Sequence, residues 1–395
     1  MPVRRRDLFP ILAAPLFAQT PKRPRLAAVV TSYYYYSHAD VILGRLMAGC
    51  SPNGTWHGSR CDVVSLYVHQ IHERDMSADL ASRHGFTIYD SIEKTLTLGG
   101  EKMAVDGVVF VGEHGNFPTN DVGQKLYPRH ELFMPILDVY EKNRRAVPTF
   151  FDKHLSYSWP KAKELYERAR KLGVPWFAGS SIPLTVRVPY VVPPMGTRFD
   201  RAVSLGYGDL DAYGFHTLEA LQCMVERRAG GETGLRAVET LTGDAVWSYL
   251  AQGWDPLVAA AYDTCPKKSP APLRELVKKP VLFSLEYRDG LRAAAVLLNG
   301  AIADWAFAGA AGSQTMACKY GLAGKSRTLP HFDGLAHNIE ELMLTGRPPY
   351  PVERTVLTTG ALAHLFDSLR TGKRVETPEL GITYRAADPP FVQTA

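Results

Sequence analysis

VPTFFDKHLSYSWPKAKELYERARKLGVPWFAG, residues 147–179, reads as strand, helix, strand. Val147 to Phe151 is a short apolar run of strand length. Pro160 sits near the start of a helix whose Ala162, Leu165, Tyr166, Ala169 and Leu172 form one face, and Gly173 can cap its end. Glu164 with Arg168, and Glu167 with Lys171, are spaced four residues apart and are expected to pair on the solvent side. Val174 to Gly179 is the next strand. Two strands joined by a helix form a parallel crossover unit.

The same alternation extends upstream. Leu26 to Thr31 is a continuous buried-strand run, and Ser37-His38-Ala39-Asp40 is a capping box ahead of Val41, Leu43, Leu46 and Met47. Cys61 to Val68 reads as a strand, Ser77 to His84 as a short helix ended by Gly85, Val105 to Val111 as a strand and Leu132 to Lys142 as a helix. Strand and helix in strict alternation predict a Rossmann-like, doubly wound parallel sheet over residues 25–182.

Downstream the pattern changes. The proline-rich Val188 to Pro194 marks a boundary, and residues 183–395 are expected to form an α+β domain with a mostly antiparallel open sheet. His216 to Arg228 is helical. Leu282 to Tyr287, the Asp289-Gly290 turn and Leu291 to Leu298 form a hairpin, which Asp304 to Ala308 extends. Gly334 to Thr345 and Leu357 to Thr371 are late helices.

Composition narrows the function. The 395 residues are 46% hydrophobic and 22% charged, with a net charge of +5, the balance of a globular chain. The only dense basic clusters, Arg4 to Arg6 and Lys22 to Arg25, lie at the N-terminus, so no basic stripe offers itself to nucleic acid. Arg4-Arg5-Arg6-Asp7-Leu8-Phe9 and the apolar run from Ile11 to Ala18 read as a signal peptide over residues 1–20, similar to a twin-arginine leader, which implies export to the periplasm. No other window is apolar enough for a membrane span. None of the five cysteines has zinc-site spacing; Cys50 and Cys61 flank a turn-rich segment and are candidates for a disulfide.

Several local strings resemble the Gfo/Idh/MocA family, named for glucose–fructose oxidoreductase and inositol dehydrogenase. Asp152-Lys153-His154 stands where that family has Glu-Lys-Pro. Ala178-Gly179-Ser180-Ser181 resembles the glycine-containing stretch after the following strand. Tyr213-Gly214-Phe215-His216-Thr217-Leu218-Glu219 resembles the Asp-x-Gly-x-His-x-x-Asp helix start, and Thr345-Gly346-Arg347-Pro348-Pro349 through Ser368, Gly372 and Val375 resembles the ending. The resemblance spans nearly the whole mature chain. It implies an oxidoreductase using NAD or NADP on a sugar or polyol derivative, and a homo-oligomer. It also implies catalytic roles for Lys153, His216 and Glu219, with the last replacing the family's aspartate. The nucleotide would run along Thr31, Ser32, Tyr33, Ser37 and His38, past His69 at the end of the second strand, to Glu113, His114 and Asp152.

Two departures bear on that implication. A dinucleotide-binding turn needs Gly-x-Gly-x-x-Gly, and here Thr31-Ser32-Tyr33-Tyr34-Tyr35-Tyr36 holds no glycine. The second strand ends Val68-His69-Gln70, without the acidic residue that takes the ribose hydroxyls. An alternative therefore stands beside the oxidoreductase: Glu113, His114, His130 and His154 as ligands of a divalent metal in a lyase, isomerase or hydrolase. A non-catalytic carbohydrate-binding protein is the third reading.

Overall fold

The computed structural model describes residues 23–266, 269–322 and 329–393; the expected signal peptide lies outside them. Its first sheet consists of β1 (Arg25–Val30), β2 (Asp62–Val68), β3 (Thr87–Ile88), β4 (Gly107–Val111), β5 (Thr149–Asp152) and β6 (Trp176–Gly179). All six run parallel in the order β3-β2-β1-β4-β5-β6, the doubly wound arrangement expected from the sequence. The crossovers are α1 (His38–Ala48), α2 (Ser77–His84), α3 (Ile92–Thr97), α4 (Arg129–Asn143) and α5 (Trp159–Lys171). Leu26 to Val30 are wholly buried, because helices cover both faces of such a sheet.

The second sheet has eight strands: β7 (Arg187–Val188), β8 (Arg201–Gly206), β9 (Leu235–Thr242), β10 (Val281–Tyr287), β11 (Arg292–Leu297), β12 (Ala306–Ala311), β13 (Gln314–Tyr320) and β14 (Val375–Glu376). Their order is β14-β9-β10-β11-β8-β12-β13-β7, and every neighbouring pair is antiparallel except β11 with β8. One face packs on α6 (Ala212–Val225) through Phe215, Leu218 and Leu221. The other is covered by α7 (Asp244–Leu250) and α8 (Asp255–Asp263), with the one-turn α9 (Leu273–Leu276) beside them.

Two late helices join the halves. In α10 (Asp333–Thr345), Leu335, Ile339, Leu342 and Met343 share a core with Leu26, Val109 and Phe150 of the first sheet. A side chain at Gly107 would lie 2.3 Å from the Met343 sulfur and 2.9 Å from Leu26 Cδ2, so the helix packs directly over this glycine. Helix α11 (Glu353–Thr371) puts Val356 into the first core and Leu357, Leu362 and Leu365 into the second. Residues 183–395 thus return to the first sheet rather than standing apart from it.

Local expectations needed correction in three places. Arg168 pairs with Asp138 and Glu141 at 2.7 Å each, Glu164 with His130, and Glu167 with Lys163. Helix α4 lies alongside α5 and offers carboxylates that compete with the partners expected four residues away. Cys50 and Cys61 are both free thiols, and Cys50 contacts the His57 Nε2 at 3.4 Å instead. The third hairpin strand begins at Ala306 rather than Asp304. Among the described residues no helix is long and apolar enough to cross a membrane.

Candidate active site

The carboxyl edge of a doubly wound sheet binds ligands where the strand order reverses. That point lies between β1 and β4, and the start of α1 with the ends of β4 and β5 faces the start of α6 across a cleft of about 560 Å³. His38, Glu113, His114, Lys153 and His216 line one part of it; Tyr207, Tyr213, Trp305, His331 and Phe332 line the rest.

Lys153 is the pivot. It follows β5 with φ of 72°, in the left-handed region that a lysine seldom adopts. The reversal breaks the strand's alternation, so that Asp152 and Lys153 serve the same site on consecutive residues. Lys153 Nζ donates to His216 Nε2 at 2.6 Å and lies 3.9 Å from Glu113 Oε1. Accepting at Nε2 leaves His216 with its proton on Nδ1, 3.0 Å from Ser180 Oγ and 3.2 Å from Glu219 Oε2. Ser180 closes the group: its amide and its hydroxyl donate to the two oxygens of Glu219 at 2.9 and 2.5 Å. Gly179, at φ of 124°, makes this possible, since a side chain there would sit 2.6 Å from Glu219 Oε1.

Burial sets the charges. Burial pushes the Glu219 carboxyl up to about 7, outweighing the two bonds from Ser180 that favour its ionised form. Burial, then the neighbouring Lys153, holds His216 neutral well below the usual imidazole range. Burial would also raise Glu113, but Lys153 and Arg129 reverse it and keep that carboxylate ionised far below the ordinary range. His114 is pushed down to about 4 by burial and by His38. Lys153, His216 and Glu219 therefore form a continuous path on which a proton can shift between a substrate oxygen and a carboxyl poised near neutrality.

The residues expected to hold a nucleotide are brought to one edge but are engaged with each other. Thr31 donates to the Glu113 carbonyl at 2.6 Å and Ser32 to the Gln70 carbonyl at 3.1 Å. Ser37 caps α1, accepting from the Asp40 amide and from the Tyr34 amide, while Asp40 accepts from the Tyr36 amide. Tyr33 is wholly buried under the turn, and Tyr34 stacks on His72 with ring centres 4.2 Å apart. His38 is bound to Asp152, Nδ1 to Oδ2, at 2.8 Å. His69, exposed beyond β2, stacks on Phe117 and faces no carboxylate of its own strand. A pyrophosphate needs open amides at this turn and room above them. Here the capping side chains take three of the amides, an acidic Asp40 stands at the mouth, and aromatic rings crowd the approach. The turn does not fit a dinucleotide in the usual way.

The metal-ligand set does not assemble either. Arg129, which sequence reasoning missed, is buried with its guanidinium 2.5 Å from Glu113 Oε2 and 2.7 Å from His154 Nε2. A fixed positive charge thus stands where the cation would sit. His130 lies on α4, its Nε2 3.0 Å from Glu164 on α5, away from the group. Among the described residues the one set of three metal-ligating atoms within reach of each other is Cys50, His57 and Glu340, far along the sequence from these four; Arg60 already holds its Glu340 by two bonds. Also missed was the aromatic corner, where Tyr213 stacks on Trp305 at 5.3 Å and the Trp305 indole donates to Thr217. An isolated arginine before a helix and a tryptophan in a loop carry no motif, so no sequence signal could have assigned them.

A parallel six-stranded sheet followed by an open eight-stranded one is the fold of Gfo/Idh/MocA-type proteins. No family model matches the chain, and no curated protein matches it. Solved structures do. GenD2 from gentamicin A biosynthesis, determined in complex with NAD, superposes with a TM-score of 0.57 at 14% identity, over 92% of this chain and 99% of that one. Myo-inositol 2-dehydrogenase from Lactobacillus plantarum matches at 0.56 and 9% identity, over 90% of this chain and 99% of its own. A super-repressor mutant of Gal80p from Saccharomyces cerevisiae matches at 0.53 and 12%, over 91% and 100%. Dehydrogenases and a repressor thus share the fold, and function must be argued from the site.

Proposed function

We propose that this protein is a sugar- or polyol-directed enzyme built on the oxidoreductase fold, in which Lys153 and His216 move a proton at a substrate hydroxyl. The observation that carries this reading is the 2.6 Å contact between Lys153 Nζ and His216 Nε2 at the floor of the cleft. The lysine presents its charge to a substrate oxygen. His216, neutral and backed by Ser180 and Glu219, takes the proton that the lysine passes on. The aromatic corner of Tyr213 and Trp305 suits the apolar face of a sugar ring.

Several of the matching structures are dehydrogenases by name and GenD2 was determined with NAD, which supports an oxidoreductase lineage for the fold, whereas the residues of the β1–α1 turn do not fit NAD or NADP in the usual way. Within that chemistry the chain's own residues account for the proton. They do not supply a cradle for a hydride acceptor at the β1–α1 turn. The homo-oligomeric state and export to the periplasm belong to the same proposal.

The test is turnover of a panel of aldoses, inositols and glycosides, with NAD and NADP added, followed by loss of substrate in proton NMR. Lys153→Met and His216→Gln should each lower turnover by ~10²-fold or more while circular dichroism stays that of the parent chain. Unchanged turnover in both variants would remove the site from this cleft.

A further inference from the structure

His38 and Asp152 lie 114 positions apart and meet at 2.8 Å, where α1 begins beside the end of β5. In a dinucleotide-binding fold this is the room above the phosphate turn. Here it holds a histidine tied to a wholly buried carboxylate, whose other oxygen, Oδ1, has no partner. Donation from Nδ1 to the carboxylate fixes the tautomer and leaves Nε2 as the basic nitrogen. The rings of His114 and Phe332 each lie 5.3 Å away and restrict the imidazole's rotation. Asp152 precedes Lys153 in the chain, so one strand end orients both the histidine and the ammonium group. Both side chains line the same cleft.

From this juxtaposition we infer that His38, oriented by Asp152, is a catalytic base that enolises a carbonyl-bearing sugar without any nucleotide. The inference shares the cleft with the function proposed above and departs from it in placing the proton transfer at carbon rather than at a hydroxyl. His38 Nε2 takes the proton from the carbon next to the substrate carbonyl. The C–H electron pair becomes the carbon–carbon double bond of the enolate, and the carbonyl pair moves onto oxygen, where the Lys153 ammonium holds the charge. Return of a proton to the carbon restores the keto sugar. Nothing is oxidised or reduced overall. Such a carbon is the one site on a sugar whose C–H bond is acidic enough for an imidazole base. The same step opens isomerase and epimerase chemistry, and Asp152 acts in it as a positioning residue.

The experiment is solvent exchange in deuterium oxide with ketohexoses and oxo-pyranosides as probes and no nucleotide present, followed by proton NMR. The parent chain should wash deuterium into the carbon beside the carbonyl. H38Q should slow that exchange by ~10²-fold or more with KM little changed. D152N leaves the histidine in place, so it keeps the test open should H38Q fail to fold; it should slow exchange and shift its pH profile. Exchange retained in both variants overturns the role of His38, whatever Lys153 does. Absence of exchange in the parent chain across the panel overturns enolisation. If the parent chain instead consumes a probe only when NAD or NADP is added, this inference falls and the oxidoreductase reading stands.

Discussion

Glu219→Gln keeps the shape of the buried side chain and removes its titration. The parent carboxyl sits at about 7 against an ordinary 4.5, and burial is the cause. Raised in the folded state, this group leaves stability intact below pH 4.5, where it is protonated whether the chain is folded or not. As pH climbs from there, the unfolded chain ionises first and draws the equilibrium towards itself. The loss is complete above about 7. Two and a half pH units at about 1.4 kcal/mol each give a penalty of up to about 3.5 kcal/mol. Glutamine escapes it and can still accept from the Ser180 amide. Urea unfolding of the parent and of E219Q should therefore diverge between pH 5 and pH 8, with the variant gaining on the parent as pH rises. Taking the difference cancels the neighbouring histidines, whose lowered values act in the opposite sense. A difference that stays flat across that range would mean that Glu219 titrates as an ordinary carboxylate, and the relay built on it would fail.

Three further outcomes follow from the packing. Gly179→Ala should cost about 2–4 kcal/mol, because the added methyl group meets Glu219 Oε1 at 2.6 Å and the Tyr350 hydroxyl at 2.9 Å on a backbone that disfavours it; the urea midpoint reads this. Arg354→Ala should cost about 3–5 kcal/mol. It strands the buried Glu226, which Arg354 now holds by bonds of 2.8 and 2.5 Å; a stability loss under 1 kcal/mol would refute that pairing. Thiol titration without reductant should find all five cysteines after denaturation and slow reaction before it, since burial pushes Cys50 and Cys61 each up to about 12. Three reactive thiols would restore the disulfide.

Strands that are long and apolar announced themselves. Leu26 to Val30, Val108 to Val111 and Trp176 to Gly179 gave the parallel sheet, because a sheet covered on both faces needs uninterrupted apolar runs. The two-residue β3, Thr87–Ile88, is exposed and could not be seen that way. Nor could β13, whose Gln-Thr-Met-Ala-Cys-Lys-Tyr mixes polar and apolar residues along a strand only partly covered. In the site, Lys153, His216 and Glu219 were legible through the resemblance; spacing alone offers nothing, since Lys153 and His216 are 63 residues apart. His38 and Asp152 were each singled out as nucleotide neighbours, yet their pairing with each other was invisible until the strand ends were placed. Arg129 shows the limit most plainly. A charged residue ahead of a helix reads as solvated, and only the fold reveals it buried between Glu113 and His154.

At the turn between β1 and α1, side chains bonded among themselves stand where a phosphate cradle would be, and the proposed chemistry of the cleft is proton transfer. Calorimetric titration of the purified chain with NAD and NADP tests it most directly. No saturable heat is expected with either nucleotide, and the same result for Tyr34→Ala, because Ser37, Asp40 and the His38–Asp152 pair still occupy the turn. One nucleotide bound per chain at micromolar affinity would contradict it and return the hydride to the mechanism.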